Sequence, residues 1–381
     1  MISFWTYPWT VMMEGPDDAC QRMADAGVGS ASVATQYHSV SSINPRFPDT
    51  LITDYRSGCY LDPTTTAFAN APLEPPLDDL GGENPLGEIV TAGDRSGLPI
   101  TAWIVCLHNS QLAANNPAYR IQSALGDERS HAVCPSHPDV REYVAAIVEE
   151  VCAQGVNAVQ LESIGYQSVF HHHWTYGGHQ KRQVLNTRTD EILFSQCFCS
   201  ACREGARDDG VDVDDAHSRI EGYLRDRLAS PHEAEIPIDE FLERNPSIAD
   251  LFDYRARTVT DLVRGAAEAT DGQSLSYIML SEAARPGSGV RIGTVDRHLD
   301  SILKVCYVDN PTSATRRLKD VQSETASTID AGVRIDPDSF DEPSEFEEVV
   351  RAIQAQIAGD IYVYNHSLLA ERQLEWVAQL T

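Results

Sequence analysis

The chain has 381 residues, with 57 acidic side chains against 29 basic ones and a formal net charge of −28. This length suits one large barrel or two ordinary domains, and the negative charge would repel nucleic acids and anionic membranes, which excludes both as expected partners. Because the acidic residues are spread along the whole chain, they predict a solvated acidic surface of the halophilic kind, suited to molar salt where the Debye length is about 3 Å.

Short apolar segments recur along the chain and alternate with amphipathic ones. Most of them are continuously apolar, as expected for strands buried on both faces of a parallel sheet. The predicted strands are residues 2–5, 31–35, 100–107, 158–162, 275–280, 305–308, 333–335 and 361–364.

Helical patterns occupy the segments between these strands. Pro16 and two following aspartates are typical of a first helical turn, and residues 139–152 place five apolar side chains on one stripe. Further helices are predicted at 248–269, 311–328, 343–358 and 368–380. Eight strand–helix units predict an α/β fold, a single (β/α)₈ TIM barrel over residues 1–381. Two flavodoxin-like domains are the alternative, but no Gly-rich phosphate loop follows an early strand.

Two connections are long for a compact barrel. One covers residues 37–86, and the other covers residues 165–246, directly after strand four. Connections of this length are usually functional or disordered. The second contains aromatic, histidine and cysteine residues, so we predict that 165–246 forms an ordered insertion or lid subdomain. It includes the run His171-His172-His173, whose role the sequence leaves open.

Active sites of such barrels lie at the carboxyl ends of the strands, where this chain is rich in aromatic, histidine, asparagine and carboxylate residues. Aromatic faces stack on sugar rings, while amides, imidazoles and carboxylates bind hydroxyl groups. The residues predicted to bind a substrate are Trp5, Tyr7, Tyr37, His38, His108, Asn109, Tyr166, Asn365 and His366.

Three carboxylates near strand ends are candidates for catalysis. Glycoside hydrolysis requires two carboxyl groups, of which one has a raised pKa and donates a proton. Glu162 ends the most apolar strand in the centre of the chain and is predicted to be the general acid/base. Asp336 is predicted to be the nucleophile or base, with Glu282 as the other candidate. Asp309 precedes Asn310-Pro311 at a helix start, which favours a capping role there.

The nine cysteines are odd in number and mostly scattered, which argues against a secreted disulfide framework. Three of them, Cys197, Cys199 and Cys202, form a C-x-C-x-x-C cluster. Three thiolates this close can occupy three corners of a tetrahedral zinc site. The sequence therefore predicts a structural zinc ion.

Residues 134–202 resemble the β-galactosidases of glycoside hydrolase family 42. Cys134-Pro-Ser-His-Pro resembles the start of a helix in that family, Glu162 stands at the position of its acid/base, and the cysteine triplet matches its zinc site. The resemblance implies a glycosidase barrel with Cys134 as the fourth zinc ligand. Leu161 replaces the family's asparagine, and Asp336 stands where a glutamate nucleophile is expected.

The sequence thus predicts a glycoside-hydrolase-like enzyme that acts on a small carbohydrate or glycoconjugate. One alternative is a metal-dependent sugar isomerase or epimerase, with His108, Glu162, Glu282 and His366 as ligands; the other is a non-catalytic carbohydrate-binding barrel. The N-terminus lacks the charged and apolar regions of a signal peptide, and no segment approaches 18 apolar residues. We therefore expect a cytoplasmic protein, with a homo-oligomer compatible with the sequence.

Overall fold

The computed structural model describes residues 1–170, 183–280 and 286–381. Eight parallel strands form a closed barrel in which each strand pairs with its neighbours and the last pairs with the first. They are β1 Ile2–Thr6, β2 Ala31–Tyr37, β3 Ile100–Val105, β4 Ala158–Glu162, β5 Ser274–Met279, β6 Ser301–Val305, β7 Thr328–Arg334 and β8 Ile361–Tyr364. The predicted α/β TIM barrel is confirmed.

Helices surround the barrel, and several begin with proline, whose fixed φ suits the first helical position. The α-helices are Pro8–Glu14, Pro16–Asp25, Ala67–Asn70, Pro85–Ser96, Ser110–Asn115, Pro138–Ala153, Arg188–Phe194, Ser200–Asp208, Val213–Ala229, Ile238–Arg244, Pro246–Glu268, Ile292–Val295, Pro311–Gln322, Pro343–Gln354 and Glu371–Ala378. Among the described helices, none combines the length and apolarity that a membrane crossing requires.

Short strands outside the barrel build two hairpins. Val40–Ile43 pairs antiparallel with Ile52–Tyr55 after β2, and Arg120–Gln122 pairs antiparallel with Glu128–Val133 after β3. The two-residue strand Gly58–Cys59 adds antiparallel to β2. Both hairpins follow the carboxyl ends of barrel strands, where a barrel carries its site.

Successive side chains of a barrel strand point alternately to the surrounding helices and into the barrel, so they pack in two separate regions. In β4, Val159 and Leu161 belong to the core between the barrel and its helices. The intervening Gln160 points into the barrel, where its Oε1 accepts hydrogen bonds from Trp5 Nε1 at 3.0 Å and Ser32 Oγ at 2.7 Å. Since side chains alternate along a strand, Glu162 also faces the interior, in its layer nearest the carboxyl ends.

Strands six and seven begin earlier than the sequence predicts, at residues 301 and 328 instead of 305 and 333. Lys304 and Asp330 interrupt the apolar runs and caused the error, yet both lie within strands and are nearly buried. Asp330 is satisfied there, since it accepts hydrogen bonds from Ser301 Oγ at 2.6 Å and from the Asp360 amide at 2.7 Å. A buried polar residue with partners is compatible with a strand.

The segment between β4 and β5 has an apolar cluster of its own. This segment buries Leu193, Phe198, Ile220 and Leu224 against the first turns of Pro246–Glu268. The rest of that long helix packs on the barrel through side chains of the main core. One helix therefore contributes to both cores. The role of residues 165–246 as a lid stays a prediction.

Candidate active site

Glu162 ends β4 with its side chain directed into the mouth of the barrel, and the residue is only 7% exposed. Its Oε2 accepts a hydrogen bond of 2.9 Å from the indole Nε1 of Trp103 on β3. The next residue, Ser163, has a φ of +56°, a conformation that is uncommon for a residue with a side chain. The backbone therefore turns sharply at the point where the carboxyl group is presented, as often occurs at functional sites.

Burial controls the protonation of Glu162. Loss of solvation raises the pKa of this carboxyl group to about 7, although the hydrogen bond from Trp103 acts in the opposite direction. A carboxyl group with this pKa exchanges its proton near neutrality. Such a group can act as a general acid or base.

Three tyrosine hydroxyl groups meet in the same mouth. The hydroxyl of Tyr7, which directly follows β1, hydrogen-bonds to that of Tyr364 from β8 and lies 3.4 Å from the hydroxyl of Tyr37. Burial raises the pKa of Tyr7 and of Tyr37 well above the usual value, so both remain protonated. Protonated hydroxyls can donate hydrogen bonds to the oxygens of a ligand.

Asp336 follows β7 and forms an ion pair with Arg334, whose guanidinium carbon lies 4.8 Å from the ring centroid of Tyr307. Burial raises the pKa of Tyr307, and the charges of Glu162, Arg334 and Asp336 also act on it. Tyr307 therefore lies within electrostatic range of both candidate carboxylates. The third candidate, Glu282, lies outside the described residues, as do His171-His172-His173.

Of the residues predicted to bind substrate, Tyr7, Tyr37 and His38 line an open cavity of about 1240 Å³ above the barrel. Tyr364, Tyr55 and Arg56 also line it. The cavity extends from Tyr7, Tyr37 and Tyr364 along the hairpin formed by residues 40–55, and Glu162 is not among its lining residues.

Four other predicted binding residues are almost fully buried and have partners within the protein. Trp5 donates to Gln160 in the barrel interior, and Asn109 caps the helix Ser110–Asn115 by accepting from the Leu112 amide at 2.9 Å. Asn365 accepts from the Ser367 amide, and His366 lies 3.3 Å from Thr6 Oγ1 through Nδ1. These contacts are structural, and a role in substrate binding stays a prediction.

Histidines form a row at the rim of the mouth. The rings of His38 and His108 stack with centroids 4.9 Å apart, and His131 meets His108 edge-on at 5.6 Å. Tyr166, the remaining predicted binding residue, lies towards the cysteine cluster, where its hydroxyl is 2.6 Å from Ser136 Oγ.

Sequence reasoning missed Trp103, Tyr307 and Arg334. The position of Trp103 could have been predicted from the alternation of side chains along a strand. It lies two residues before the end of β3 and therefore faces the barrel interior. Arg334 and Tyr307 were hidden by the misplaced strands six and seven, whose true ends put both residues at the mouth.

Cys134, Cys197, Cys199 and Cys202 converge on one buried point. Their Sγ atoms all lie within 4.8 Å of one another, and Cys134 and Cys202 are 3.4 Å apart. All nine cysteines are free thiols, so no disulfide accounts for the cluster. In a tetrahedral site with metal–sulfur distances near 2.3 Å, the sulfurs would be about 3.8 Å apart, which fits this group. The four predicted ligands are therefore together and compatible with a metal ion.

One backbone amide and one side-chain hydroxyl contact the sulfur atoms of the cluster. The Gln122 amide donates to Cys197 Sγ at 3.3 Å, and Ser136 Oγ lies 3.1 Å from Cys202 Sγ. The buried guanidinium of Arg255 donates to the carbonyl of Cys197 and lies over the ring of Tyr166 at 4.8 Å. Arg255 thus anchors the backbone of the cysteine cluster to the ring of Tyr166.

Comparison with known structures finds a similar fold in two β-galactosidases and an α-L-fucosidase. The structure is similar to β-galactosidase from the psychrophilic Marinomonas ef1, with a TM-score of 0.61 and 9% identity over 100% of this chain and 58% of that chain. It is also similar to β-galactosidase from Rahnella sp. R3, with a TM-score of 0.56 and 10% identity over 100% of this chain and 55% of that chain. For α-L-fucosidase isoenzyme 2 from Paenibacillus thiaminolyticus, the TM-score is 0.54 and the identity is 12% over 96% of this chain and 45% of that chain.

The chain spans about half the length of these three proteins. At such low identity the similarity concerns the fold, and at that level the expected likeness to glycoside hydrolases is confirmed. No sequence family and no curated protein matches the chain.

Proposed function

We propose that this protein is a glycoside hydrolase in which Glu162 protonates the leaving oxygen of a glycosidic bond. The observation that carries the proposal is a buried carboxyl group with a pKa of about 7 at the carboxyl end of β4. General acids operate best when their pKa lies near the working pH. The glycoside-hydrolase fold of the structural neighbours supports the same chemistry.

A second carboxylate must stabilise positive charge at the sugar carbon, either by attacking it or by activating water. Asp336 is our choice among the described residues, because it follows β7 at the same end of the barrel as Glu162 and pairs with Arg334, which lies over Tyr307. Arg334 pairs with Asp336 and offers a positive charge to its ionised form. The linked hydroxyls of Tyr7, Tyr37 and Tyr364 would accept hydrogen bonds from sugar hydroxyls and donate the one proton that their mutual hydrogen bonds leave free.

The rival sugar isomerase needs histidine and carboxylate ligands that converge on one ion. In residues 1–170, 183–280 and 286–381, the only group of three or more potential metal ligands is the cysteine cluster. His366 is fully buried beside Thr6, below the mouth. The geometry therefore favours hydrolysis.

A panel of aryl glycosides with varied sugars and both anomeric configurations tests this function. We expect hydrolysis of at least one sugar series, with kcat falling as pH rises through about 7, because Glu162 then loses the proton that it must donate. Initial rates between pH 4 and pH 9 give this profile. Activity that requires added divalent metal and yields an isomerised sugar would contradict the proposal, and so would sugar binding without cleavage anywhere in the panel.

We also propose that the four cysteines bind one structural zinc ion. Thiolates are preferred zinc ligands, and a closed set of four cysteines is typical of structural sites. When bound, the ion would supply a cross-link between Cys134, near the barrel, and Cys197–Cys202 in the segment after β4. It has no part in the proposed reaction.

The free thiols also support our proposal that the protein is cytoplasmic.

The acidic surface should make stability depend on salt. With a net charge of −28, self-repulsion opposes folding in dilute buffer and is screened at molar ionic strength. We expect the melting temperature to rise between dilute and molar KCl, as measured by calorimetry. Sucrose of equal osmolarity is the control, because it screens no charge. Equal or higher stability in dilute buffer would contradict this proposed halophilic adaptation.

A further inference from the structure

The cavity above the tyrosines is larger than a single sugar needs. Its volume of about 1240 Å³ exceeds the range of about 300–1,000 Å³ that is typical for drug-sized ligands. We infer that this cavity, hereafter the hairpin cleft, binds an uncharged oligosaccharide of several units. The inference deepens the proposed function and depends on it for the position of the bond that is cleaved.

The hairpin cleft has an aromatic platform. One face of the Tyr55 ring stacks on Trp9, with centroids 4.2 Å apart and planes at 20°. Tyr55 also lines the cavity and is half-buried, so part of its ring is available to a ligand. Trp9 in turn stacks on Tyr7 at 4.5 Å, which connects the platform to the hydroxyls near Glu162. Trp9 is buried between the two tyrosines, so Tyr55 is the ring that can support a sugar, held in place by the stack beneath it.

Polar groups of the cleft suit hydroxyl groups better than charges. Ser39, Ser41 and Ser42 line the wall on the hairpin side. Asp54 and Arg56 bring opposite charges, and besides them only His38 and tyrosines can ionise among the lining residues. The cleft thus carries almost no net charge in a protein of net charge −28. A polyanionic saccharide would be repelled by the surrounding surface, whereas an uncharged one would not.

The position of the cleft fixes the direction in which the ligand extends. Its walls come from the hairpin after β2 and from residues 364–373 after β8, with Tyr7 of the β1 end at its floor. These strands are neighbours in the barrel. The sugar chain would therefore leave Glu162 on the side of β8, β1 and β2 and follow the hairpin.

Calorimetric titration tests this inference with gluco-, galacto-, manno- and xylo-oligosaccharides of one to six units. Glu162→Gln serves as the host protein, because it prevents cleavage during the titration. In at least one series we expect affinity to rise about 10-fold or more from one to four units, since each added ring gains an aromatic or hydrogen-bonding contact. Tyr55→Ala should remove most of that rise, whereas Tyr55→Phe should preserve it. Tyr119→Ala is the matched control, since this half-buried tyrosine lies outside the cleft and should leave the rise intact.

Three results would overturn the inference: affinity independent of length in all four series, a tetrasaccharide affinity of Tyr55→Ala equal to that of its parent, or tighter binding of uronate oligosaccharides than of neutral ones. Failure of the proposed function looks different. In that case the length dependence of binding persists, while the wild-type protein cleaves none of the sugars that it binds. Cleavage of short aryl glycosides without length-dependent binding would preserve the function and overturn the cleft.

Discussion

Replacement of Glu162 by glutamine should reduce the rate of glycoside hydrolysis about 10²–10⁴-fold, as expected when a general acid/base is lost. Glutamine keeps the shape of the side chain and can still accept the hydrogen bond from Trp103 Nε1. It has no proton to give to the leaving oxygen. We therefore expect kcat to fall with little change in the affinity for a sugar, and the decline of activity above pH 7 to disappear from the residual rate.

The same substitution should stabilise the protein at alkaline pH. The pKa of Glu162 is raised from 4.5 to about 7 in the folded state, so the folded state binds this proton more tightly than the unfolded state. The stability that the group contributes is present below pH 4.5 and is lost as pH rises through about 7. At pH 8 the buried charge costs about 3 kcal/mol, at 1.36 kcal/mol for each pKa unit.

Thermal melts of both proteins at pH 4.5 and pH 8 measure this difference. We expect the variant to melt at a higher temperature than wild type at pH 8, and near the same temperature at pH 4.5. Glu149→Gln is a suitable control, because Glu149 is exposed on Pro138–Ala153 and should change neither activity nor the pH dependence of melting. A Glu162→Gln variant that hydrolyses glycosides at the wild-type rate would remove Glu162 from the mechanism.

The barrel and the position of Glu162 could be predicted because both depend on local patterns. A strand covered on both faces is mostly apolar, as β8 is throughout, and in β3 and β4 only Thr101 and Gln160 interrupt the apolar residues before the strand end. Once eight such strands are recognised, the fold determines where their carboxyl ends lie. A glutamate directly at the end of β4 is then placed in the mouth by topology alone.

The surroundings of Glu162 could not be predicted in the same way. The contact with Trp103 joins residues 59 positions apart, and the contact of Tyr7 with Tyr364 joins residues 357 positions apart. Such contacts depend on the register between strands, which the sequence pattern does not give, and the misplaced strands six and seven also hid Tyr307 and Arg334. The hairpin cleft depends on how residues 40–55 fold over the mouth, and no motif in that segment indicates its course.

Loss of the proposed zinc ion should have the largest effect on stability. Structural zinc sites contribute on the order of 10 kcal/mol in small domains, and here the four ligands connect Cys134 to the segment that follows β4. We expect about one zinc ion per chain in elemental analysis of the purified protein. Removal of the ion by strong chelators, or the substitution Cys199→Ser, should lower the melting temperature by on the order of 10 °C or more.

Loss of the ion should unfold the segment around the cysteines first, and the rest of the protein only later. Without the ion, Cys197, Cys199 and Cys202 no longer hold the start of Ser200–Asp208 against Cys134, so limited proteolysis should cut first between β4 and Pro246–Glu268. Cys306→Ser is the matched control, because it also replaces a buried free thiol but lies outside the cluster. It should cost only about 1–3 kcal/mol for a buried hydroxyl and leave the zinc content unchanged.

Protein that contains no metal, together with equal melting temperatures of Cys199→Ser and Cys306→Ser, would show that the four thiols are only packed together. The segment would then be held by the apolar contacts of Leu193 and Phe198 and by the buried ion pair between Asp190 and Arg227.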